Sequence, residues 1–554
     1  MNCDRAGSFR LVRIGVDVGG TNTDAVLMDG AAIVAWTKQP TTADVSSGVA
    51  AAIRAVLSQG ALAPAAVQAV MIGTTHFTNA LVERTRLDQV GVLRLASPSG
   101  EALPPLTGWP DELKHCIGDH AFLLPGGYEV DGREIAPFDA GKVRAAVKEL
   151  RTRGIRSIAI SSAFAPINAS MEEQAGAIVR ADYPDAVITV SNAIGRIGFI
   201  ERENAAILNA ALTSLAANVV ASFEQALAQI GIAAPLYISQ NDGTLISAAQ
   251  AAAFPVLTMG SGPTNSMRGA AFLTGVTDAI VMDVGGTTTD IGVLANGFPR
   301  ESSIAVDIGG VRTNFRMPDI LAIGLGGGTR VHLDPSLYAA GELAAEALEV
   351  GPDSVGYRIA QDALLFGGST LTSSDVAVAA GRAAFGDRAG LPEFSPAVLG
   401  TVWNRFQAIL EEGVDRMKTT RGDATILAVG GGSFLIADTL KGAAQVIRPP
   451  HAAVANAVGA AIAQVGAQAE QIVAYDQVPR ATAIEKMREE VTARAVAAGG
   501  DPASVQIVEV DEVFLSYLPG RAAQLRVRAV ADLAGLTVQA PREAPKKTLV
   551  RHAH

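Results

Sequence analysis

The sequence predicts an α/β protein with two related lobes, and three observations lead to this prediction. The stretch DVGGTNTD at 17–24 recurs as DVGGTTTD at 283–290. Each copy lies within three consecutive β-rich segments, which is the pattern of a β-meander. Hydrophobic residues make up 49% of the 554 residues, whereas aromatic residues make up 5% and glycine occurs 57 times. This composition suits layered sheets and helices packed through small aliphatic side chains.

Charge and composition restrict the classes of partner. The formal net charge is -11 and the sequence has no block of Lys or Arg, which argues against nucleic acid or an anionic membrane surface and favours a small-molecule substrate. No uninterrupted apolar run reaches the length of a membrane span, and the N-terminal segment lacks a signal-peptide pattern. We therefore expect a cytoplasmic protein with no membrane partner. Cys3 and Cys116 predict neither a disulfide framework nor a thiolate metal site.

Each repeated stretch is predicted to form the tip of a β-hairpin that binds phosphate. Strand-like segments flank both copies, so the glycines join two strands rather than a strand and a helix. Adjacent glycines let a bulky anion approach the backbone N–H groups. Asp17 and Asp283 begin the two copies, and Mg²⁺ is the expected bridge between these carboxylates and phosphate oxygens. Asp24 and Asp290 are assigned to hydrogen bonds of the hairpins or to the surroundings of the metal. A plain tight turn is the alternative, and the repetition argues against it.

A third glycine cluster, ILAVGGGSFLI at 426–436, follows a β-branched strand and precedes a predicted helix at 436–445. Its glycines leave space for the adenine and ribose of a nucleotide, although a plain strand-to-helix turn has the same pattern. Two further segments, 202–220 and 451–467, are rich in Ala and are predicted to be helices that cross between the lobes as a hinge. A dense alanine core is the alternative interpretation of these two segments.

Together these segments resemble the ATPase superfamily of actin, Hsp70 and sugar kinases, and within it the hydantoinase A/5-oxoprolinase family. The resemblance extends from about residue 12 to 465 and follows the family's order of motifs. It is carried by IGVDVGGTNTDAVLMD, GTTHFTNALVER, GFIERENAAILNAAL, SQNDGTLISAAQAAAFPVLTMGSGPTNSMRGAAFL, MDVGGTTTDIGVL, AIGLGGGTR and AVGGGSFLI. It implies two ribonuclease-H-like (actin-like ATPase) domains with a nucleotide cleft between them.

The resemblance implies ATP-dependent opening of a cyclic amide such as a hydantoin, a lactam or 5-oxoproline, with ATP and Mg²⁺ as cofactors. Asp17 and Asp283 are the expected metal ligands and, with His76, the expected catalytic residues. The nucleotide-binding residues implied are Gly19, Gly20, Thr21, Asn22 and Thr23 on one side of the phosphates, Gly285, Gly286, Thr287 and Thr288 on the other, and Gly430, Gly431 and Gly432 at the nucleoside.

For the substrate, the sequence favours the segment GTTHFTNA, which gathers polar groups at the end of a predicted strand. The candidate residues are Thr74, Thr75, His76 and Asn79. Capping of a helix start is an equally good interpretation of His76 and Thr78. The resemblance also suggests that the glycine loop IGLGGGTRVHLD, which carries Arg330 and His332, lines the cleft, whereas its residue pattern alone favours a buried strand turn.

The predicted domains are an N-terminal ATPase lobe at 1–205, a second lobe at 206–465, a small C-terminal α/β domain at 466–536 and a flexible tail at 537–554. The segment after VGPDSVG departs from the family pattern, which puts the substrate end in doubt. The chain also lacks the hydrolysis-associated half of the family. We therefore expect a separate subunit, hydantoinase B-like or other, as partner in an oligomer. The ATP-using subunit of an acetone-carboxylase-like complex and a non-enzymatic actin- or chaperone-like nucleotide switch remain alternative functions.

Overall fold

The computed structural model describes residues 11–42, 45–195, 197–302, 306–314, 317–515, 521–534 and 551–552. Cys3 and most of the predicted tail at 537–554 lie outside these ranges. The strands of the first part of the chain are β1 (Val12–Val18), β2 (Asn22–Asp29), β3 (Ala32–Pro40), β4 (Ala69–Thr74), β5 (Val90–Ser97), β6 (His120–Pro125), β7 (Ser157–Ser162), β8 (Val187–Val190), β9 (Leu236–Ser239) and β10 (Leu245–Ser247). The helices are α1 (Val45–Gln59), α2 (His76–Val82), α3 (Asp111–Ile117), α4 (Ala140–Arg153), α5 (Ser170–Asp182) and α6 (Phe199–Ile230).

The middle part of the chain contains a second set of strands and helices. The strands are β11 (Ala279–Val284), β12 (Thr289–Ala295), β13 (Phe298–Pro299), β14 (Val306–Ile308), β15 (Val311–Thr313), β16 (Ile320–Ile323), β17 (Thr329–His332), β18 (Glu349–Ser354), β19 (Ala424–Val429) and β20 (Ala443–Ile447). The helices are α7 (Ala248–Ala253), α8 (Ser261–Thr274), α9 (Ile359–Asp362), α10 (Ser373–Ala379), α11 (Pro396–Met417) and α12 (Ala455–Ile462). The C-terminal part adds β21 (Val465–Ala474), α13 (Arg480–Ala497), β22 (Gln506–Phe514), β23 (Ala522–Ala531) and β24 (Arg551–His552).

Two sheets repeat one topology. In the first sheet β3, β2, β1, β4 and β9 are adjacent in that order, and in the second sheet β13, β12, β11, β19 and β20 are adjacent in the same relative order. In both sheets each of the first three strands in this order is antiparallel to its neighbour. The fourth strand pairs in parallel with the third, as β4 does with β1 and β19 does with β11. Because the fourth strand reaches the sheet through a helical crossover, its carboxyl end lies beside the hairpin tip. This shared order confirms the predicted pair of ribonuclease-H-like lobes.

The longest helix, α6, is a core element of the first lobe. Its length and apolar composition would suffice to cross a membrane, but 72% of its most apolar window is buried inside the protein. It packs against α1 and β7 and contributes Phe223 and a row of alanines to the main core. The predicted domain boundary between residues 205 and 206 falls within this helix, so the chain is not divided there. A parallel sheet in the order β6, β5, β7, β8 packs on the other side of α6.

The C-terminal strands join the first sheet instead of forming a sheet of their own. The predicted strand, helix and two strands are present, but β21 pairs in parallel with β10 at Val465 and Leu245, and β23 and β22 follow it. The first sheet therefore continues through the segment at 466–536 that the sequence assigned to a separate domain. Sequence reasoning missed this because hydrogen bonding between strand edges leaves no periodicity in the sequence.

The close-packed helix pair is α8 and α12, which corrects the prediction that α6 is one of the two crossing helices. A Cβ on Gly269 would lie 1.8 Å from the carbonyl oxygen of Ala455, and a Cβ on Gly459 would lie 1.8 Å from that of Asn265. Both positions therefore require glycine. The segment 436–445 also differs from the prediction, because it forms a loop into β20 and not a helix.

Candidate nucleotide cleft

The two hairpin tips face each other across one cleft. A Cβ on Gly286 would lie 3.4 Å from Oγ1 and Cγ2 of Thr21, so the tips are within van der Waals reach. The tips have the same local structure, because Gly19 N–H donates to the Asn22 carbonyl at 3.0 Å and Gly285 N–H donates to the Thr288 carbonyl at 2.8 Å. The repeated sequence thus forms two equivalent turns that meet at the boundary between the lobes.

The cleft holds a cavity of about 360 Å³, within the size range of small-molecule sites, ~300–1,000 Å³. All three glycine motifs contribute to its lining. The lining residues are Asp17, Gly19, Gly20, Thr21, Asn22, Asp24, Lys38, Thr75, Asn79, Gly262, Pro263, Ser266, Asp283, Gly285, Gly286, Thr287, Thr288, Asp290, Gly430, Gly431, Ala453, Ala455 and Asn456. Thr23 and Gly432 pack behind this surface: Thr23 Oγ1 lies 3.3 Å from Thr41 Oγ1, and Gly432 N–H donates to the Val284 carbonyl at 2.8 Å.

The first hairpin carries two buried carboxylates, and each has a polar neighbour. Asn456 donates from Nδ2 to Oδ2 of Asp17 at 2.8 Å. Lys38 forms an ion pair with Asp24, at 2.6 Å from Nζ to Oδ2, and donates to the Ala453 carbonyl at 3.2 Å. Burial, together with the charges of Asp24 and Asp283, raises the pKa of Asp17 to about 7. In the first hairpin Asp24 is therefore neutralised by Lys38. Asp17 forms no ion pair with a cationic side chain among the residues that the structure describes.

The second hairpin is arranged differently. Ser266 donates its hydroxyl to Oδ2 of Asp283, and burial raises the pKa of Asp283. Burial and the charge of Asp283 raise the pKa of Asp290 to about 7. No cationic side chain in the described part of the chain forms an ion pair with Asp290.

A glycine loop between β16 and β17 supports the second tip from behind. Gly327 and Gly328 donate their N–H groups to the carbonyls of Gly285 and Gly286 at 3.0 and 2.6 Å. Ser374 in turn donates to the Gly327 carbonyl at 2.7 Å. The glycine loop thus supports the second hairpin tip through backbone contacts, and Ser374, from the segment that departs from the family pattern, supports the glycine loop.

Arg330 and His332 lie on β17 beside this loop and are not among the cavity-lining residues. His332 Nε2 is 2.8 Å from Asp353 Oδ1, and Arg330 Nε is 3.6 Å from Asp353 Oδ2. The expectation that the loop which carries them lines the cleft is therefore not met by this geometry. The reason is that β17 pairs with β18 at the back of the loop.

The third glycine cluster closes the cleft from the end of β19. Gly430 has a φ of 85°, and a Cβ on it would lie 2.2 Å from Oδ1 of Asp283. Only glycine tolerates both conditions. Gly431 contacts the Lys38 side chain, where a Cβ would lie 3.3 Å from Cε. The third glycine cluster is therefore close to the second hairpin and to Lys38 on β3.

The substrate candidates divide into two pairs. Thr75 and Asn79 line the cavity, whereas Thr74 and His76 do not. Thr74 Oγ1 and His76 Nδ1 are 2.5 Å apart, and Thr74 Oγ1 also accepts the His76 backbone N–H at 3.3 Å. Burial, with a smaller contribution from Arg86, lowers the pKa of His76 to about 4. His76 is therefore a neutral imidazole at the start of α2, where the N-cap residue Thr75 makes no side-chain capping hydrogen bond.

Sequence reasoning missed four polar residues at the cleft: Lys38, Asn265, Ser266 and Asn456. Two of them, Asn265 and Ser266, lie in the family motif SGPTNSMRG, to which the sequence analysis attached no role. Their position next to the aspartates depends on the packing of α8 and α12 between the sheets. The glycines of α8 and α12 were the available signal in the sequence. Glycines that let two helices pack closely also bring polar side chains of both helices together.

The carboxylates fit Mg²⁺ bound together with a nucleotide. In the described ranges no group of three or more His, Cys, Asp or Glu side chains forms a metal site from protein ligands alone. Mg²⁺ does not need one, since it uses one or two carboxylates with waters and phosphate oxygens. The buried Oδ1 of Asp17 has no hydrogen-bond partner, and a cation shared with Asp283 would neutralise this charge.

Two family models match the chain and together account for well over half of it. The model described as the hydantoinase/oxoprolinase N-terminal region matches residues 13–183, and the model described as hydantoinase/oxoprolinase matches residues 202–385. The chain belongs to the hydantoinase/oxoprolinase family. This confirms the resemblance carried by the sequence motifs.

Two curated relatives have subunit names. The alpha subunit of caprolactamase from Pseudomonas jessenii is 28% identical over 397 residues, which is 68% of this chain and 55% of the relative. The gamma subunit of acetophenone carboxylase from Aromatoleum aromaticum is 26% identical over 400 residues, which is 66% of this chain and 52% of the relative. The chain thus spans about half the length of the curated relatives it matches.

Two solved structures have the same fold over nearly the whole chain. ATP-dependent caprolactamase from Pseudomonas jessenii superposes with a TM-score of 0.74 at 21% identity, covering 97% of this chain and 90% of that one. Nucleotide-free acetone carboxylase superposes with a TM-score of 0.69 at 17% identity, covering 96% and 90%. At these identities the likeness concerns the fold, which supports the continuous first sheet and the two-lobed architecture.

Proposed function

We propose that the protein is an ATP-dependent amidase subunit that opens a cyclic amide such as a hydantoin, a lactam or a 5-oxoproline-like ring. The observation that carries this proposal is the meeting of the two hairpin tips, Thr21 against Gly286, over a cavity that also contains the third glycine loop. Family membership and the name of the caprolactamase relative support the choice of cyclic amides.

In the proposed reaction, the amide oxygen attacks the γ-phosphorus of ATP, and the bond between that phosphorus and the β-phosphate oxygen breaks to release ADP. Water then adds to the activated carbon, the C–N bond breaks as nitrogen takes a proton, and the resulting acyl phosphate is hydrolysed to a carboxylate and phosphate. Phosphorylation is needed because an amide carbonyl is a poor electrophile. Bound Mg²⁺ would neutralise charge on the phosphates.

The residues of this chain supply binding and orientation. Backbone N–H groups of both tips face the phosphates, and the Lys38 ammonium adds a cation at the floor of the cleft. Thr75 and Asn79 line the side of the cavity formed by β4 and α2, so the ring is expected there. The relatives are named as subunits, which supports a partner subunit. That this partner carries out the hydrolytic steps, and that the assembly is an oligomer in the cytoplasm, are further parts of the proposal.

A carboxylase role is the second candidate. The acetophenone carboxylase relative and the acetone carboxylase fold are almost as similar as the caprolactamases. In that role the phosphorylated species would be formed from bicarbonate or an enolised ketone.

Phosphate release separates the two reactions. We expect hydantoins or lactams to stimulate the release of phosphate from ATP by the purified protein, alone or with its copurifying partner, and we expect bicarbonate with a ketone to have no effect. Turnover that requires bicarbonate would favour the carboxylase role and reject the amidase. Linear amides of matched size are the control, because only cyclic amides are held in the cis form.

A further inference from the structure

Side chains from the crossing of α8 and α12 reach the carboxylates of both hairpins. Asn456, at the start of α12, donates to one oxygen of Asp17 at 2.8 Å. Ser266, on the first half of α8, donates to Asp283. Each helix therefore supplies a donor to the aspartate of the sheet on which it packs, since α12 packs on β1 and α8 packs on β11.

The second oxygen of Asp17 faces an amide from the other lobe. Asp17 Oδ1 and the Asn265 side chain are fully buried, and Oδ1 of Asp17 and both polar atoms of Asn265 have no hydrogen-bond partner. They lie beside the same point, because a Cβ on Gly73 would be 2.5 Å from Asn265 Nδ2 and 2.6 Å from Asp17 Oδ1. The glycine on β4 is what allows the amide and the carboxylate to approach each other.

A buried amide without a partner is costly, and it sits at the point of helix contact. The Asn265 carbonyl is the group that would clash with a Cβ on Gly459, and Asn456 follows Ala455, whose carbonyl would clash with a Cβ on Gly269. Asn265 and Asn456 are therefore fixed by the backbone contact of the two helices. Unsatisfied buried polar groups usually mark a functional constraint.

We propose that Asn265, Ser266 and Asn456 are positioning residues that set the geometry of the two metal-binding carboxylates. In this arrangement Asn456 orients Oδ2 of Asp17 and Ser266 orients Asp283 through their hydrogen bonds, and the unpartnered Nδ2 of Asn265 donates to Oδ1 of Asp17 once the metal is bound. The ligand is Mg²⁺ together with the phosphates of a nucleotide. The inference rests on the nucleotide-binding part of the proposed function and is independent of which ring is opened.

Hydrogen bonds behind metal ligands typically affect metal affinity by about 10- to 100-fold. We therefore expect Asn456→Leu and Asn265→Leu to raise the Kd for Mg²⁺ by about 10-fold or more in protein saturated with a non-hydrolysable ATP analogue. Ser266→Ala is expected to act in the same direction. Affinity for the analogue in EDTA is expected to stay at the wild-type value in Asn265→Leu, because Asn265 is not among the residues that line the cavity.

A matched control is Asn209→Leu, which removes a buried asparagine of α6 that bonds Thr189 and the Ala253 carbonyl and is not among the residues lining the cavity. It is expected to lower thermal stability while leaving the Kd for Mg²⁺ unchanged. Binding is measured by isothermal titration and stability by thermal unfolding of the same samples. If Asn265→Leu behaves like the control, or weakens analogue binding equally in Mg²⁺ and in EDTA, the positioning role is overturned.

The result is distinguishable from a failure of the proposed function. A wild-type protein that binds the Mg²⁺ complex of the analogue but opens no cyclic amide would reject the amidase and leave the positioning test intact. Variants that retain Mg²⁺ affinity in a protein with amidase activity would reject only the positioning role.

Discussion

The two hairpins share seven of eight residues and the same turn, but their surroundings differ. The first tip is held by Thr41, whose Oγ1 donates to the Gly19 carbonyl at 2.8 Å, and its Asp24 is neutralised by Lys38. The second tip is held by backbone groups of the loop at 326–328. The comparison teaches that the repeated sequence fixes the shape of each turn, while the neighbours determine its charge.

The two lobes also differ at the carboxyl ends of their fourth strands. The fourth strand of the first sheet, β4, leads into Thr75 and α2, whereas its counterpart in the second sheet, β19, leads into Gly430 and the nucleoside loop. The repeated topology therefore places one end of the cavity next to the substrate candidates and the other next to the nucleoside candidates. The internal repeat supplies two equivalent turns, and the loops that follow the fourth strands differ between the lobes.

The largest effect is expected for the aspartate that begins each of the two hairpin motifs. Asp17→Asn and Asp283→Asn should each lower Mg²⁺-dependent ATP turnover by about 1,000-fold, since each removes a negative ligand of the metal. Initial rates of phosphate release provide the measurement, and circular dichroism checks the fold. Asp290→Asn is the matched control in the same cleft and is expected to lose far less activity. Near-normal rates in both of the first two variants would reject the metal assignment.

The next effect tests the difference in charge. Lys38→Met leaves Asp24 buried without its cation, so the free energy of unfolding should fall by about 2 kcal/mol. The double variant with Asp24→Asn should recover most of this loss, whereas Asp290→Asn in the second hairpin should not destabilise. Denaturant unfolding of wild type, Lys38→Met, Asp24→Asn and the double variant gives the coupling between Lys38 and Asp24. Equal losses for Lys38→Met with and without Asp24→Asn would show that the pair contributes nothing.

A third prediction separates a glycine required by a ligand from one required by packing. A Cβ on Gly20 would meet no protein atom within 4 Å, whereas a Cβ on Gly326 would lie 2.6 Å from the backbone of Thr287. Gly20→Ala should therefore keep the wild-type Tm and weaken nucleotide binding by about 10-fold, because the methyl group occupies phosphate space. Gly326→Ala should lower the Tm. Unchanged nucleotide affinity in Gly20→Ala would place the phosphates elsewhere.

The smallest effect concerns His76, beside the first hairpin. Its pKa is about 4 in the folded protein and ~6.5 when unfolded, so the unfolded state binds the proton first as the pH falls. Stability from this residue is complete above about pH 6.5 and is lost towards pH 4, by on the order of 3 kcal/mol. His76→Asn should flatten the pH dependence in this window. If wild type and variant show parallel stability curves, His76 does not titrate in this way.

The sequence was sufficient for the parts of the site that depend on neighbours in the chain. Strand, glycine pair and strand specify a hairpin wherever they occur, and finding the motif twice predicted two lobes with a shared cleft. Of the residues assigned to nucleotide, metal and substrate, most line one cavity, and Thr23, Gly432, Thr74 and His76 do not. The roles of these residues remain predictions.

Lys38 shows why other parts of the site were missed. The pairing of β2 with β3 shifts by one residue between Leu27 and Met28. A regular hairpin would place Thr37 opposite Asp24, but the bulge places Lys38 there and turns its side chain to the same face of the sheet. Side chains alternate between faces along a strand, so a shift of one residue decides whether the ammonium reaches the cleft.

The sequence by itself determined the two hairpin turns, the α/β architecture and the family, because these follow from local backbone preferences and from the order of motifs. Only the tertiary structure decided that α8 pairs with α12, that the C-terminal strands continue the first sheet and that Asn265, Ser266 and Asn456 reach the aspartates. These features depend on contacts between residues far apart in the chain. They are stabilised by packing and by hydrogen bonds between parts of the chain that only the fold brings together.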